Sequence, residues 1–331
     1  MRNLICLMAA LFASALPLAT LQAAPVQPVP ATRTANATAA TMLGASWAQG
    51  RLVAVGDHGT VLLSDDKGHS FHQAAAVPLS TPLTGVSFVD ARQGWAVGHW
   101  GTILASTDGG DSWQLQRLSS AEDRPLFAVH FFNPRQGVAV GLWSQILTTD
   151  DGGLNWSEQK LQAPPGASRA DLNLMGLFAD HQGQNLYATA ERGQVLRSDD
   201  QGKHWRYLDS GYAGTLWTGA VLTDGSLLVG GQRGTLLHGS ADGLTWQRVP
   251  LKSKSSVTGI AVAGQQIVVV GLDGLMVSSS DGGLNFQEQQ SAEGVSLTAA
   301  LLNGNGLPIL FSRRGVVSMQ GQEEGAIHPS E

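Results

Sequence analysis

The sequence predicts an all-β fold: a seven-bladed β-propeller of four-stranded antiparallel blades. Three observations carry that prediction. First, a short apolar run leading into a Gly-rich turn recurs seven times, with its closing residue at Gly59, Gly101, Ser144, Gly193, Gly234, Gly274 and Gly315. A period of about 40 residues holding four strands is one propeller blade. Second, six of those turns are followed by a second turn that reads Ser/Thr-x-Asp and ends on Trp or Phe. Third, 41 Gly, 9 Trp and only 14% charged residues suit many short strands joined by tight corners.

Taken in order, the chain opens on Met1-Arg2, an apolar run over residues 4–18, and Leu21-Gln22-Ala23. A positive start, a short apolar core and small residues before a cleavage point describe a secretory signal peptide over 1–23. The run is too short for a spanning helix. The only cysteine, Cys6, lies inside this leader, so no disulfide is expected in the mature chain. The expected location is extracytoplasmic, a bacterial periplasm or similar compartment. Residues 24–37, rich in Pro, Ala and Thr, read as an extended lead-in. The propeller is assigned to 38–320 and a polar tail to 321–331.

Within each period the pattern gives strand, loop, strand, Gly turn, strand, second turn, strand. In the second period the strands fall at 83–89, 94–98, 102–106 and 113–116, with alternation at Val86, Phe88 and Ile103, Ala105. The second turn has a local chemistry. Its Ser or Thr, and an Asp two residues on, fold their oxygens back onto backbone N–H groups. A glycine supplies the reversed backbone angle, and the aromatic then opens the outer strand and buries a large apolar area. The aspartates are Asp66, Asp108, Asp151, Asp200, Asp242 and Asp281. The aromatics are Phe71, Trp113, Trp156, Trp205, Trp246 and Phe286. All are read as structural. The seventh period has no such turn after Met319. A missing outer strand leaves an unpaired edge. Residues 29–34 are therefore expected to supply it and close the ring.

Topology puts the Gly turns and the blade-to-blade links on one face and the Asp turns on the other. The variable pairs in the Gly turns are Asp57-His58, His99-Trp100, Leu142-Trp143, Glu191-Arg192, Gln232-Arg233, Leu272-Asp273 and Arg313-Arg314. Turn tips ordinarily take Asn, Asp or Gly. Trp and Arg there match the residues that dominate binding surfaces. His58, His99, Trp100, Trp143, Arg192, Arg233, Arg313 and Arg314 are thus the candidate partner-binding set. The competing reading is that these side chains simply cover neighbouring strands. Two long links, 161–171 and 119–125, share this face and stand ready to wall a groove, or are tolerated insertions.

Other chemistry is thinly represented. His69-Ser70-Phe71-His72 lacks the further ligands a metal site requires, so no metal is assigned. No nucleophile elbow and no phosphate loop occur, and no cofactor is expected. A net charge of −6 gives no reason to expect nucleic-acid binding. No second long apolar stretch suggests direct membrane insertion, and a monomer is expected.

The Asp turn resembles the Asp-box (BNR-type repeat) of sialidase-like propellers, where the box is structural. The longer unit Gly-Trp-Ala-Val-Gly-x-x-Gly-x-Ile-Leu-x-Ser-x-Asp-Gly-Gly-x-x-Trp, as at residues 94–113, resembles the photosystem II stability/assembly factor family. That resemblance covers nearly the whole mature chain. It implies a seven-bladed, non-catalytic, exported propeller that binds protein partners of a membrane or envelope complex. It also implies arginines on one face, which map loosely onto Arg192, Arg233, Arg313 and Arg314. Blades two and three carry Trp at these positions instead. The alternative is a sialidase-like hydrolase or a carbohydrate-binding propeller. The Arg-Ile-Pro motif of sialidases is missing, and a Tyr212–Glu191 pair is the one nucleophile arrangement the inventory offers.

Overall fold

A computed structural model describes residues 27–119, 122–291 and 293–317. The leader 1–23, with Cys6, and the tail 321–331 lie outside those residues. Among the described residues twenty-seven strands form seven antiparallel sheets, each ordered from hub to rim in chain order. Blade one holds β1 (Met42–Ala48), β2 (Arg51–Gly56), β3 (Val61–Ser64) and β4 (His72–Gln73). Blade two holds β5 (Leu83–Phe88), β6 (Gly94–Gly98), β7 (Ile103–Ser106) and β8 (Gln114–Arg117). Blade three holds β9 (Leu126–Phe131), β10 (Gly137–Gly141), β11 (Ile146–Thr149) and β12 (Ser157–Glu158). Blade four holds β13 (Leu174–Ala179), β14 (Leu186–Ala190), β15 (Gln194–Ser198) and β16 (Arg206–Asp209). Blade five holds β17 (Leu216–Val221), β18 (Leu227–Gly231), β19 (Thr235–Gly239) and β20 (Trp246–Arg248). Blade six holds β21 (Val257–Ala263), β22 (Gln266–Gly271), β23 (Leu275–Ser279) and β24 (Gln287–Gln290). Blade seven shows three strands among the described residues: β25 (Leu297–Leu302), β26 (Pro308–Ser312) and β27 (Gly315–Val317).

A single twisted sheet cannot bury both faces, so the blades stack. The second strands are buried along nearly their full length, as in Val53–Val55, Ala96–Val97 and Val268–Val270. The core is accordingly seven separate apolar clusters, one in each gap between neighbouring blades. At the hub the innermost strands approach closely. A Cβ on Gly44 would lie 3.0 Å from the Thr84 carbonyl of the next blade. Threonines at the hub join one blade to the next. Thr84 Oγ1 donates to Leu126 O at 2.7 Å, and Thr258 Oγ1 to Leu297 O at 2.8 Å.

The same bond closes the ring. Thr298 Oγ1 of blade seven donates to Met42 O of blade one at 2.5 Å, and Trp47 Nε1 of blade one donates to Leu302 O at 3.1 Å. Closure therefore comes from packing of blade one on blade seven. The expectation that residues 29–34 form the outer strand of blade seven is not met. No strand runs over 29–34. That segment follows the rim of blade one: Ala31 N–H donates to Val77 O at 3.0 Å, and Thr34 N–H to Gln73 Oε1 at 2.9 Å. Gln73 Nε2 returns a bond to Thr32 O at 3.1 Å, so one side chain meets both a donor and an acceptor of the extended chain. Only around Ala37–Ala39 does the lead-in reach β27.

The Asp turns behave as local chemistry dictates. In blade two Ser106 Oγ donates to Asp108 Oδ1 at 2.8 Å and accepts from Gly110 N–H at 2.9 Å, while Ser112 N–H donates to Asp108 Oδ1 at 3.0 Å. Thr149, Asp151, Gly153 and Asn155 repeat this in blade three. Trp113, Trp205 and Trp246 each donate the indole N–H to the carbonyl of the box glycine three residues back, which fixes the ring over the turn. These bonds favour the ionised aspartate. The Asn155 side chain and backbone hold Asp151 down to about 2, and Asn285 does the same for Asp281. Ser70 and Ser64 hold Asp66 lower still.

Each box also packs on the blade before it. A Cβ on Gly202 of blade four would lie 2.5 Å from Val138 Cγ2 of blade three, and Gly202 sits at φ +87°. Gly68 of blade one faces Ile309 of blade seven in the same way. Each aromatic buries into the corresponding gap, which contributes about 2–3 kcal/mol per ring.

Candidate functional site

The seven Gly turns share one backbone bond. The first residue of each pair donates its N–H to the carbonyl just before the innermost strand of the same blade. The distances are 2.9 Å for Asp57 to Thr41, 3.0 Å for His99 to Pro82, 3.0 Å for Leu142 to Pro125 and 3.3 Å for Glu191 to Asn173. They continue at 3.0 Å for Gln232 to Thr215, 2.9 Å for Leu272 to Ser256 and 3.2 Å for Arg313 to Ser296. This bond ties every turn to the incoming link, so turns and links form one continuous face.

The second residue of the pair is the tip. His58, Trp100, Trp143, Arg192, Arg233 and Asp273 all adopt left-handed backbone, with φ between 54° and 57°. That conformation costs an ordinary L-residue about 1–2 kcal/mol. Several tips are held by a side chain on the link to the next blade. Trp100 N–H donates to Asp123 Oδ1 at 2.7 Å, Trp143 N–H to Asn173 Oδ1 at 3.0 Å, and Arg233 N–H to Ser256 Oγ at 3.2 Å. The backbone demand is thus the same at six positions, and Asn or Gly satisfies it best. The demand does not select Trp or Arg. Blade seven differs: Ser312 pairs with Gly315, which leaves Arg313 and Arg314 as a tighter two-residue tip.

The candidates do not sit alike on this face. His58, Arg192, Arg233, Arg313 and Arg314 project into solvent. His99 lies 3.1 Å from Asp123 through Nδ1, and Trp100 is half-buried. Trp143 is 51% exposed, the one exposed tryptophan among the described residues. It stands in a depression of about 560 Å³ between the third turn and the long link 161–171. Arg124, Glu158, Lys160, Leu161 and Arg169 line the same depression.

The groove around Trp143 is tied in place on every side. Arg124 donates to Trp143 O at 3.2 Å and pairs with Glu158 at 2.8 Å. Ser144, where the six other blades carry Gly, is also left-handed at φ 55°, and both its N–H (2.7 Å) and its hydroxyl (3.0 Å) donate to Leu172 O. The start of the long link is held by Tyr207, whose hydroxyl donates to Gln162 O at 2.8 Å. Asn173 receives Trp143 and donates its own backbone and side-chain N–H groups to Glu191 at 2.9 and 3.1 Å. Arg192 faces Asp171 at 3.6 Å. A rigid aromatic side chain therefore projects into a walled, mixed polar and apolar depression.

Sequence reasoning found Trp143 and both long links. It did not single out Arg124, Lys160 or Asn173 as contributors. The signal for them was the Ser at 144 in a position that is Gly in every other blade, since such a residue needs extra bonds to stay left-handed. The Tyr212–Glu191 arrangement does not form. Tyr212 donates to Gln232 O at 2.9 Å, and both Glu191 oxygens are taken by Asn173.

A family model described as photosynthesis system II assembly factor YCF48 matches residues 72–218. A solved structure of YCF48 bound to a D1 peptide is 20% identical, with a TM-score of 0.69, and the match covers 89% of this chain and 96% of that one. YCF48 from Cyanidioschyzon merolae is also 20% identical, with a TM-score of 0.68 over 84% of this chain and 94% of that one. A GH74 enzyme from Niastella koreensis shares the fold at 14% identity and a TM-score of 0.64, over 84% of this chain and 52% of that one. No match was found among curated proteins. The resemblance read from the repeats holds: from β4 to the start of β17 this chain carries the sequence pattern of the photosystem II assembly factor family, on a propeller fold that it shares with YCF48 along most of its length.

Proposed function

We propose that this protein is a non-catalytic assembly or stability factor that acts outside the cytoplasm on a membrane or envelope protein complex. It works as a monomer, without a cofactor, and holds an exposed segment of a partner protein on its turn face. The observation that carries this reading is the Trp143 groove. An aromatic side chain stands half in solvent on a turn held by bonds from two links, and aromatic anchors dominate protein interfaces. A further fact supports it. YCF48, whose family model matches residues 72–218, has been solved with a D1 peptide bound.

Export rests on the leader over 1–23 and is tested by N-terminal sequencing of the protein from an osmotic-shock fraction; an intact Met1 there would overturn it. Partner capture is tested by crosslinked pull-down from envelope extract with the wild type and Trp143→Ala. A central anchor contributes 2 kcal/mol or more, so recovery of the partner should fall roughly thirtyfold. Equal recovery of the same partner by both proteins would remove the groove from the proposal.

A further inference from the structure

We propose that the hub mouth on the turn face is a second anchor site, where Phe127, Met175 and Trp217 take a large aliphatic or aromatic side chain from the same partner segment that the Trp143 groove holds. The inference rests on the reading of the turn face as a partner surface, and adds the side-chain chemistry that this surface prefers.

The innermost strand of every blade carries one extra residue near its start. Its pairing with the second strand skips Leu43, Thr84, Phe127, Met175, Trp217, Thr258 and Thr298 in turn. Such a bulge leaves one residue out of the ladder and re-aims its side chain. In each blade the extra residue lies two positions after the carbonyl that receives the Gly turn, so all seven stand at the turn-face end of the hub. Three are threonine and use the position to join blades. Thr84, Thr258 and Thr298 donate to the first carbonyl of the next innermost strand, at Leu126, Leu297 and Met42. The other four are apolar and have no hydroxyl to make that bond.

Leu43, Phe127, Met175 and Trp217 are partly exposed, and among the described residues none of them packs into the seven inter-blade clusters. Phe127, Met175 and Trp217 sit on consecutive blades, three to five. Large apolar side chains that serve neither the ladder nor the core, gathered on one face, are the material of interface anchors. The arc continues the Trp143 groove. Asn173, which receives the Trp143 N–H, stands two residues before Met175, and Leu172, whose carbonyl takes both Ser144 bonds, stands one before that. Two residues of extended chain span about 7 Å, so one short segment of a partner can engage both places.

The charge beside the arc describes that segment. Arg233 at the tip of blade five, and Lys252 and Lys254 on the link to blade six, are exposed and enter no ion pair among the described residues. Glu288, the carboxylate at this link, is taken by the backbone N–H groups of Lys252 and Ser253. Uncompensated cations around an apolar arc are complementary to a segment in which a large apolar residue is flanked by carboxylates.

The test uses the mature chain and short synthetic peptides in which a central leucine, phenylalanine or alanine is flanked by glutamates, with binding read by fluorescence anisotropy. The leucine and phenylalanine peptides should bind about tenfold or more tightly than the alanine peptide. Met175→Thr and Trp217→Thr, separately and together, bring in the residue type that blades two, six and seven carry at this position. They should keep the melting temperature and bring that ratio toward one, whereas Trp143→Ala should weaken all three peptides alike. Absence of binding by all three peptides, equal affinities in the wild type, or a ratio unchanged by both threonine substitutions would overturn the proposal. A concentration-dependent dimer of the wild type that the threonine variants lose would assign the arc to a second copy and overturn it as well. Equal affinities alongside Trp143-dependent capture of the envelope partner would remove the hub site and leave the proposed function standing.

Discussion

The two rims of the wheel are built from the same repeat and do opposite things with their side chains. On the Asp-box rim the polar side chains are consumed by their own turn. Asp108 accepts from Ser106 and Ser112, Asp151 from Thr149 and Asn155, and the indole of Trp205 is bonded to Gly202 O. On the Gly-turn rim the backbone does the holding, through the bond from each turn to the incoming link and through capping groups such as Asp123 and Asn173. The side chains at the tips are not needed to make the turn, and several stand exposed. Where side chains make the turn they are constrained to one pattern. Where the backbone makes it they vary, and variation is the raw material of recognition. Trp143 and the long link beside it occur on the second rim.

The largest effect that separates the rims is in partner capture. Trp143→Ala should reduce it roughly thirtyfold while leaving the urea midpoint within error, because a half-exposed ring contributes little to the core. A matching loss in stability would erase the distinction drawn here. Asp151→Ala should do the reverse. It removes the acceptor of the Asn155 N–H and the Thr149 hydroxyl, and should lower the urea midpoint, with capture unchanged below the transition.

Packing of a box on the preceding blade is the next effect. Gly202→Ala places a methyl group 2.5 Å from Val138 Cγ2 at a left-handed position, and should destabilise by about 1–3 kcal/mol. Gly166→Ala, on the long link, is also left-handed but meets nothing within 4 Å, so it should cost less than Gly202→Ala. Equal costs would mean that backbone angle, and not contact between blades, sets the role of the box glycine.

The smallest expected effect is in acid. Asp151 and Asp281 titrate at about 2 in the folded chain, below the ordinary carboxylate value of 3.8. Their contribution to stability is therefore complete above about pH 4 and is lost as pH falls toward 2. Thermal melts from pH 5 to 2 should show the decline, and Asp281→Asn should make it shallower. A variant curve parallel to the wild type would show that the box carboxylates are not the groups being protonated.

The repeat was legible because box and turn chemistry are local. The strands of blade two came within a residue of their observed bounds at 83–88, 94–98, 103–106 and 114–117. The grouping of turns with links followed from topology alone. Ring closure was not legible. A Gln73 side chain able to hold the lead-in on blade one, and a Thr298 bond to Met42, depend on residues about 40 and 256 positions apart. The groove was half legible. Spacing revealed the long link, and composition revealed Trp143, but Arg124 reaches Trp143 O only because two links meet beside the third turn.

By itself the sequence determined the repeating unit, the number of blades and the structural role of the aspartates, because each of these is enforced by bonds spanning a few residues. Only the tertiary structure decided which tip is exposed, what surrounds it and how the ring is joined. Those outcomes depend on side chains brought together from different blades, whose separation along the chain carries no local signature.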